Sequence, residues 1–361
     1  MPTPNTVGLE DYAHEHAKAQ FAENAEIARA NRTLRATLAE RERLLESIQK
    51  RLGLYERLEE ERIAPPTWLV PKPRKKEYQG IPSLMLADLH WDEVIDPSQI
   101  GGVNAYNRAI AEQRLKRAFE RTIRTSRDCL SGVHMEGFNL FLPGDMISGV
   151  IHEELRETNE AQVMDSVLSL LEPMEAGIKT LAAEFGRVHI TGVVGNHGRN
   201  TRKPRAKFRA QDNFDWLVYK LLQRDMSGLK GVTMQVSTSA DDRVQIYSTK
   251  YLLTHGDQFR GGSGISGAMA PLLLGVHRKM AREAAAGTPF DVMVMGHFHQ
   301  SLPIPQLGLV VGGSLKGYDE YAYVNNFRIE PAQLAFWLTT PEFGVQFSSN
   351  IVVQDREAEG W

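Results

Sequence analysis

One cysteine in 361 residues, Cys129, excludes an internal disulfide, so packing and polar contacts must hold the fold. That scarcity suits a reducing compartment, and a cytoplasmic location is expected. No apolar run approaches the roughly 20 residues that a membrane-spanning helix needs, so no membrane partner is expected. The opening residues, MPTPNTVGLEDYAHEHAKAQ, lack the basic start and apolar stretch of a signal peptide. Positive charge is not in excess either: the formal net charge is −3, which argues against non-specific nucleic-acid binding except where local patches override the mean. Proline is missing between residues 12 and 62. What remains, 42% hydrophobic and 24% charged, is ordinary soluble composition, and the length suits one large domain with an appendage.

The proline-free span is rich in Ala, Glu, Arg and Leu. Leu34, Leu38, Leu45, Ile48, Leu52 and Tyr55 follow a three-four spacing, as the core positions of a coiled coil do, and Ile27 and Asn31 extend the register. Arg41 interrupts the stripe and Gly53 weakens its end. Residues 1–63 are therefore expected to form a helical arm through which the chain builds a homo-oligomer; the alternative is a long helix lying on its own catalytic domain. Pro65, Pro66, Pro71 and Pro73 predict a stiff linker over residues 64–79, with a basic tail, Lys72-Pro73-Arg74-Lys75-Lys76.

From residue 80 to 361 strand-like and helix-like patterns alternate and then become strand-rich, which predicts a layered α/β domain with mixed sheets. Five segments stand out: Asp88-Leu89-His90, Gly144-Asp145, Gly195-Asn196-His197, Thr254-His255-Gly256-Asp257 and Gly296-His297-Phe298-His299. Each follows a short apolar run, so each places its polar residues at the carboxyl end of a predicted strand. Asp, Asn and His suit a hydrolytic metal pair, and no cysteine is among them. A carboxylate such as Asp145 can bridge two divalent ions about 3.5–4 Å apart, and a water shared between them becomes a nucleophile near neutral pH. His189 and His134, by contrast, read as core residues.

In this order the five motifs resemble those of the calcineurin-like metallophosphoesterase superfamily, over about residues 80–320, with a pattern similar to the SbcD-type repair nucleases. The resemblance implies a four-layer α/β/β/α sandwich of two mixed sheets, preceded here by the long N-terminal helix. It implies two divalent metal ions, manganese first and iron or zinc as alternatives. Asp88, His90, Asp145 and His299 would hold one, and Asp145, Asn196, His255 and His297 the other. His197 would be the acid for the leaving oxygen, or would orient the phosphate.

One departure bears on substrate. The family's third motif often continues with an acidic residue; here it continues Gly198-Arg199, which leaves the orienting partner of His197 open, with Asp212 or Asp215 as candidates. Arg199, Arg202, Lys203, Arg205, Lys207 and Arg209 then follow without an acidic residue. A charge run is commonly a solvated face, but this one leaves a catalytic loop. Arg199, Arg202 and Lys203 are expected to bind substrate phosphate, with His152 beside them. A second strip, Arg114, Arg117, Arg121 and Arg124, follows helical spacing and reads first as a solvated face. Lys316, Tyr318, Asp319 and Tyr321 read as a pocket rim. The expected activity is phosphodiester hydrolysis in nucleic acid; the alternatives are a small-substrate phosphoesterase and a non-catalytic coiled-coil scaffold.

Overall fold

The computed structural model describes residues 14, 16–18, 20, 24, 29, 31–43, 66–69, 78–259 and 269–361. The chain forms two compact units, residues 1–62 and 63–361. In the first, residues 31–43 are helical. The Thr33 and Thr37 hydroxyls donate to carbonyls four residues back, and Leu34 and Leu38 are exposed. The other apolar positions of the expected seam, Ile27, Leu45, Ile48, Leu52 and Tyr55, lie outside the described residues.

The second unit is a sandwich of two mixed sheets between helices. The first sheet contains β1 (Ile81–Met85), β2 (Phe138–Leu142), β3 (Val188–Gly192), β4 (Val232–Val236), β10 (Gln333–Thr340) and β11 (Gly344–Val352), in the order β11-β10-β1-β2-β3-β4. Strands β1 to β4 run parallel, and β10 joins β1 antiparallel. The second contains β5 (Asp241–Ile246), β6 (Thr249–Thr254), β7 (Val292–Met295), β8 (Leu302–Ile304) and β9 (Leu309–Val311), in the order β5-β6-β7-β9-β8. Here β6, β7 and β9 are the parallel core.

Both faces of the central strands are covered, which is why β1, β2 and β3 are buried at every position rather than alternating. Met85, Phe141 and Trp337 of the first sheet pack with Tyr251, Leu253 and Val294 of the second. On the outer side of the first sheet lie α1 (Arg108–Cys129), α3 (Val163–Phe185) and α4 (Phe214–Met226), through Phe119, Leu170, Ile178 and Leu222. On the second sheet, α5 (Met269–Ala285) packs Leu272 and Val276 against Leu252, Met293 and Leu309. The architecture is the four-layer α/β/β/α sandwich. Short helices α2 (Glu153–Thr158), α6 (Glu320–Val324) and α7 (Arg356–Glu359) complete it.

Two expectations need correction. Residues 66–69, inside the expected linker, belong to the sandwich: Leu69 is buried between the sheets and its carbonyl accepts from Tyr247 N–H at 2.8 Å. Of the basic strip on α1, only Arg124 is a solvated side chain. Arg114 is fully buried, with Glu359 at 2.7 Å and the Lys316 carbonyl at 2.7 Å, and Arg117 and Arg121 bind the carbonyls of Val353 and Val352. The strip holds the C-terminal segment against the sheet, so an apolar-and-charge count alone misassigns it.

Candidate metal centre

Parallel pairing brings the ends of β1, β2 and β3 side by side, and of β6 and β7 beside each other, so the motif loops meet at one end of the sandwich. The loops are tight. Asp88, His90, Asp145, His297 and His299 all have left-handed φ, between 47° and 73°, a region that sterics disfavour for residues with a Cβ and that clusters at functional sites. A Cβ on Gly144, itself at φ 101°, would lie 2.1 Å from Gly195 N, and one on Gly195 would lie 2.1 Å from Asp145 Oδ1. The second and third loops therefore touch backbone to backbone, and only glycine permits it.

Among the described residues three side-chain groups have ligand atoms within 4.8 Å of one another: Asp88, His90 and His299; His90, Asp145 and His197; and Asp145, His255 and His297. Asp145 and His90 are shared between groups, as a paired site requires. Asn196 joins the last through its Oδ1, 3.0 Å from His255 Nε2.

The tautomers decide whether a cation fits. His255 Nδ1 lies 2.8 Å from the Pro143 carbonyl, an obligate acceptor, so Nδ1 carries the proton. Its Nε2 lies 3.1 Å from Asp145 Oδ2 and 3.0 Å from Asn196 Oδ1, a place that a proton or a cation can fill. His90 Nδ1 faces Glu93 at 3.0 Å, which leaves its Nε2 to meet His299 Nε2 at 3.1 Å. His197 Nδ1 faces the Ser148 carbonyl at 2.8 Å. Ring nitrogens and carboxylate oxygens converge here, and a divalent cation can replace the protons that would otherwise hold them together.

The proton affinities divide: two rings are neutral and one holds a proton that a metal would displace. Burial lowers His197 to about 3, with His90 adding to the effect, and burial lowers His297 to about 4. Neutral imidazoles are the form that binds metal. Burial opposes a proton on His255, but Asp145 outweighs it and raises the group to about 10. Burial pushes Asp145 up too, yet His255 and His197 hold it well below the usual carboxylate range. Burial raises Asp88 to about 7 against the pull of His255.

Sequence reasoning offers Asp215 as a partner of His197 but does not single out Glu93 or Lys316 as partners of these ligands. Glu93, three residues past His90, lies 3.0 Å from that ring's Nδ1 and is itself paired with Lys316 at 2.6 Å. Lys316 also binds Asp319 at 2.7 Å and is buried, so these two residues lie under the site rather than forming a pocket rim. Asp215, near the start of α4, accepts from the backbone N–H groups of Asp145 (2.9 Å), Met146 (3.1 Å) and Gly195 (2.9 Å). It does not orient His197; the Ser148 carbonyl does. A Cβ on residue 198 would lie 2.8 Å from Asp215 Oδ1 and 2.3 Å from Asn213 Oδ1. Gly198 is thus glycine because side chains from the start of α4 fill the space where its own would go.

The expected substrate contacts divide. Arg199 donates three of its five N–H groups to its own loop, to the carbonyls of Thr201 (3.0 Å), Asn196 (3.1 Å) and Arg202 (3.4 Å). Arg202 and Lys203 are exposed. His152, also exposed, lies with its ring centroid 6.0 Å from that of His197. Asp257 makes a two-bond pair with Arg209, at 2.9 and 2.7 Å.

No protein-family model matches the chain. No curated protein matches it. Solved structures do. Vacuolar Protein Sorting 29 from Cryptosporidium parvum is 13% identical over 75% of this chain and 98% of its own, with a TM-score of 0.32. A conserved uncharacterized protein from Streptococcus pneumoniae TIGR4, described as a predicted phosphoesterase, is 11% identical over 75% and 97%, with a TM-score of 0.29. A hypothetical protein from Pyrococcus horikoshii OT3 is 13% identical over 77% and 90%, with a TM-score of 0.37.

Proposed function

We propose that the chain is a metal-dependent phosphoesterase of the calcineurin-like type and that it hydrolyses phosphodiester bonds in nucleic acid. The observation that carries the class is the convergence of five histidines, His90, His197, His255, His297 and His299, on the carboxylates of Asp88 and Asp145. Asp88, His90, Asp145 and His299 would hold one divalent ion and Asp145, Asn196, His255 and His297 a second, with manganese as the first candidate and iron or zinc as alternatives. Such ions, when bound, neutralise phosphoryl oxygens and bring the pKa of a bound water toward neutrality.

The protein's own contribution is placement and proton transfer. Glu93, the Pro143 carbonyl and the Ser148 carbonyl fix which nitrogen of each ring faces the substrate. His197 is neutral in the buried pocket; with an anionic phosphate bound beside it, its ring would take up one proton from solvent at Nε2 and pass that proton to the leaving oxygen, returning to the neutral form. The exposed Arg202 and Lys203, on the loop that leaves His197, support a polyanionic substrate.

The test uses purified protein loaded with manganese, offered single- and double-stranded DNA, RNA and bis-p-nitrophenyl phosphate. Degradation of nucleic acid, abolished by Asp145→Ala and by His197→Ala, is expected. Turnover of the small ester with every nucleic acid left intact would instead leave the small-substrate reading. No turnover of any phosphoester would leave the scaffold.

A further inference from the structure

Residues 198–213 leave the centre directly after His197 and return to it at Asn213. The loop is closed at its base by the Arg199–Asn213 bridge and by Phe214 N–H donating to the Gly198 carbonyl at 2.6 Å. It is pinned on two sides of the site. Arg202 lies 3.6 Å from Glu153, the residue after His152, whose ring neighbours His197. Arg209 binds Asp257, two residues past His255. The loop therefore borders the metal centre from the His197 side to the His255 side.

Its outer edge is cationic, with Arg202, Lys203, Arg205 and Lys207 exposed and no acidic residue from Arg199 to Arg209. In this edge stands Phe208, with φ 55° and 73% of its surface exposed. Asp212 N–H donates to its carbonyl at 3.0 Å and holds the turn. Left-handed backbone is disfavoured for a bulky side chain without a polar group to compensate, and an aromatic ring in water forgoes burial. Both penalties fall on one residue, among cations, on the loop that leaves His197 and returns at Asn213. A nucleobase offers the face that such a ring lacks, and its flanking phosphates match the cations.

We propose that Phe208 is a stacking platform for an unpaired base next to the scissile phosphate, so that the site takes single-stranded nucleic acid in preference to duplex. This rests on the nucleic-acid reading above. Stacking accepts any base, so little sequence preference is expected.

The experiment compares wild type, Phe208→Ala and Phe208→Trp, loaded with manganese, on a single-stranded oligonucleotide, a fully abasic oligonucleotide of equal length, and a duplex. Phe208→Ala should raise KM for the single strand about tenfold, from the usual worth of one base–aromatic stack. It should leave the abasic strand and the duplex unchanged, and Phe208→Trp should restore the single-strand value. Equal KM for wild type and Phe208→Ala on the single strand overturns the proposal. So does an equal loss on normal and abasic strands, or a change in mass by light scattering, which would make this edge a contact between copies. If wild type cleaves no nucleic acid, the underlying reading fails and this proposal falls with it; cleavage that is indifferent to residue 208 defeats this proposal alone.

Discussion

Replacing Asp215 by Asn turns a carboxylate that accepts three backbone N–H groups into a side chain with one acceptor and a misplaced donor. The second and third motif loops then lose their shared anchor while every ligand stays in place. Asp215→Asn is expected to weaken manganese binding about 10–100-fold, the usual scale for a group supporting metal ligands. Calorimetric titration checks this, with circular dichroism to show that the fold persists; unchanged affinity would reduce Asp215 to packing. Protons compete for the same pocket. Burial raises Asp88 to about 7 and Asp145 raises His255 to about 10 against the cost of burial, so metal entry must displace protons. Affinity should climb from pH 6 to pH 8, and the heat of binding should vary with the ionisation enthalpy of the buffer. His189, fully buried in β3, behaves in the opposite sense to His255: burial lowers it from 6.5 to about 4. A depressed histidine contributes stability above its unfolded value that is lost as pH falls through that window. Urea unfolding should show the loss between pH 6.5 and 4, and His189→Gln should flatten it.

At the scale of elements, α1 and α3 cross where Gly177 faces Phe119. A Cβ at 177 would lie 1.9 Å from that ring, which is buried and cannot turn away. Gly177→Ala should cost about 1–3 kcal/mol by overpacking, read as a lower thermal midpoint, with turnover at a given temperature below it unchanged. Nothing in the sequence marks that glycine, since its reason lies on a helix 50 residues away. The strands before the motifs were legible because burial on both faces makes them continuous apolar runs, and the ligands follow them at once. Helix ends were legible only to a few residues: α1 starts at Arg108 because the Asn107 side chain accepts from Ile110 N–H. Groups acting from a distance were harder. Glu93 carried a faint signal, three residues past His90, whereas the Ser148 carbonyl carried none, because any residue supplies one. Arg114 misled for a related reason: a buried guanidinium and a solvated one look alike until their partners in the C-terminal segment are placed.

For the whole molecule, the ligand-bearing residues 88–299 all belong to the unit spanning 63–361, and none to residues 1–62. Leu34 and Leu38 are 62% and 53% exposed on a helix that has charged residues around them, which is an arrangement that pairing with a second copy would improve. Removing residues 1–62 should therefore separate two properties. Mass by light scattering should fall from an oligomer to a monomer, while turnover of bis-p-nitrophenyl phosphate per site should stay as it was. Leu34→Glu with Leu38→Glu, in the intact chain, should reproduce the fall in mass without removing the arm. A deletion that keeps the oligomer would move the interface onto the sandwich, and one that is monomeric at both lengths would leave the arm with some other partner. If activity and mass fell together, residues 1–62 would have to be shaping the site itself.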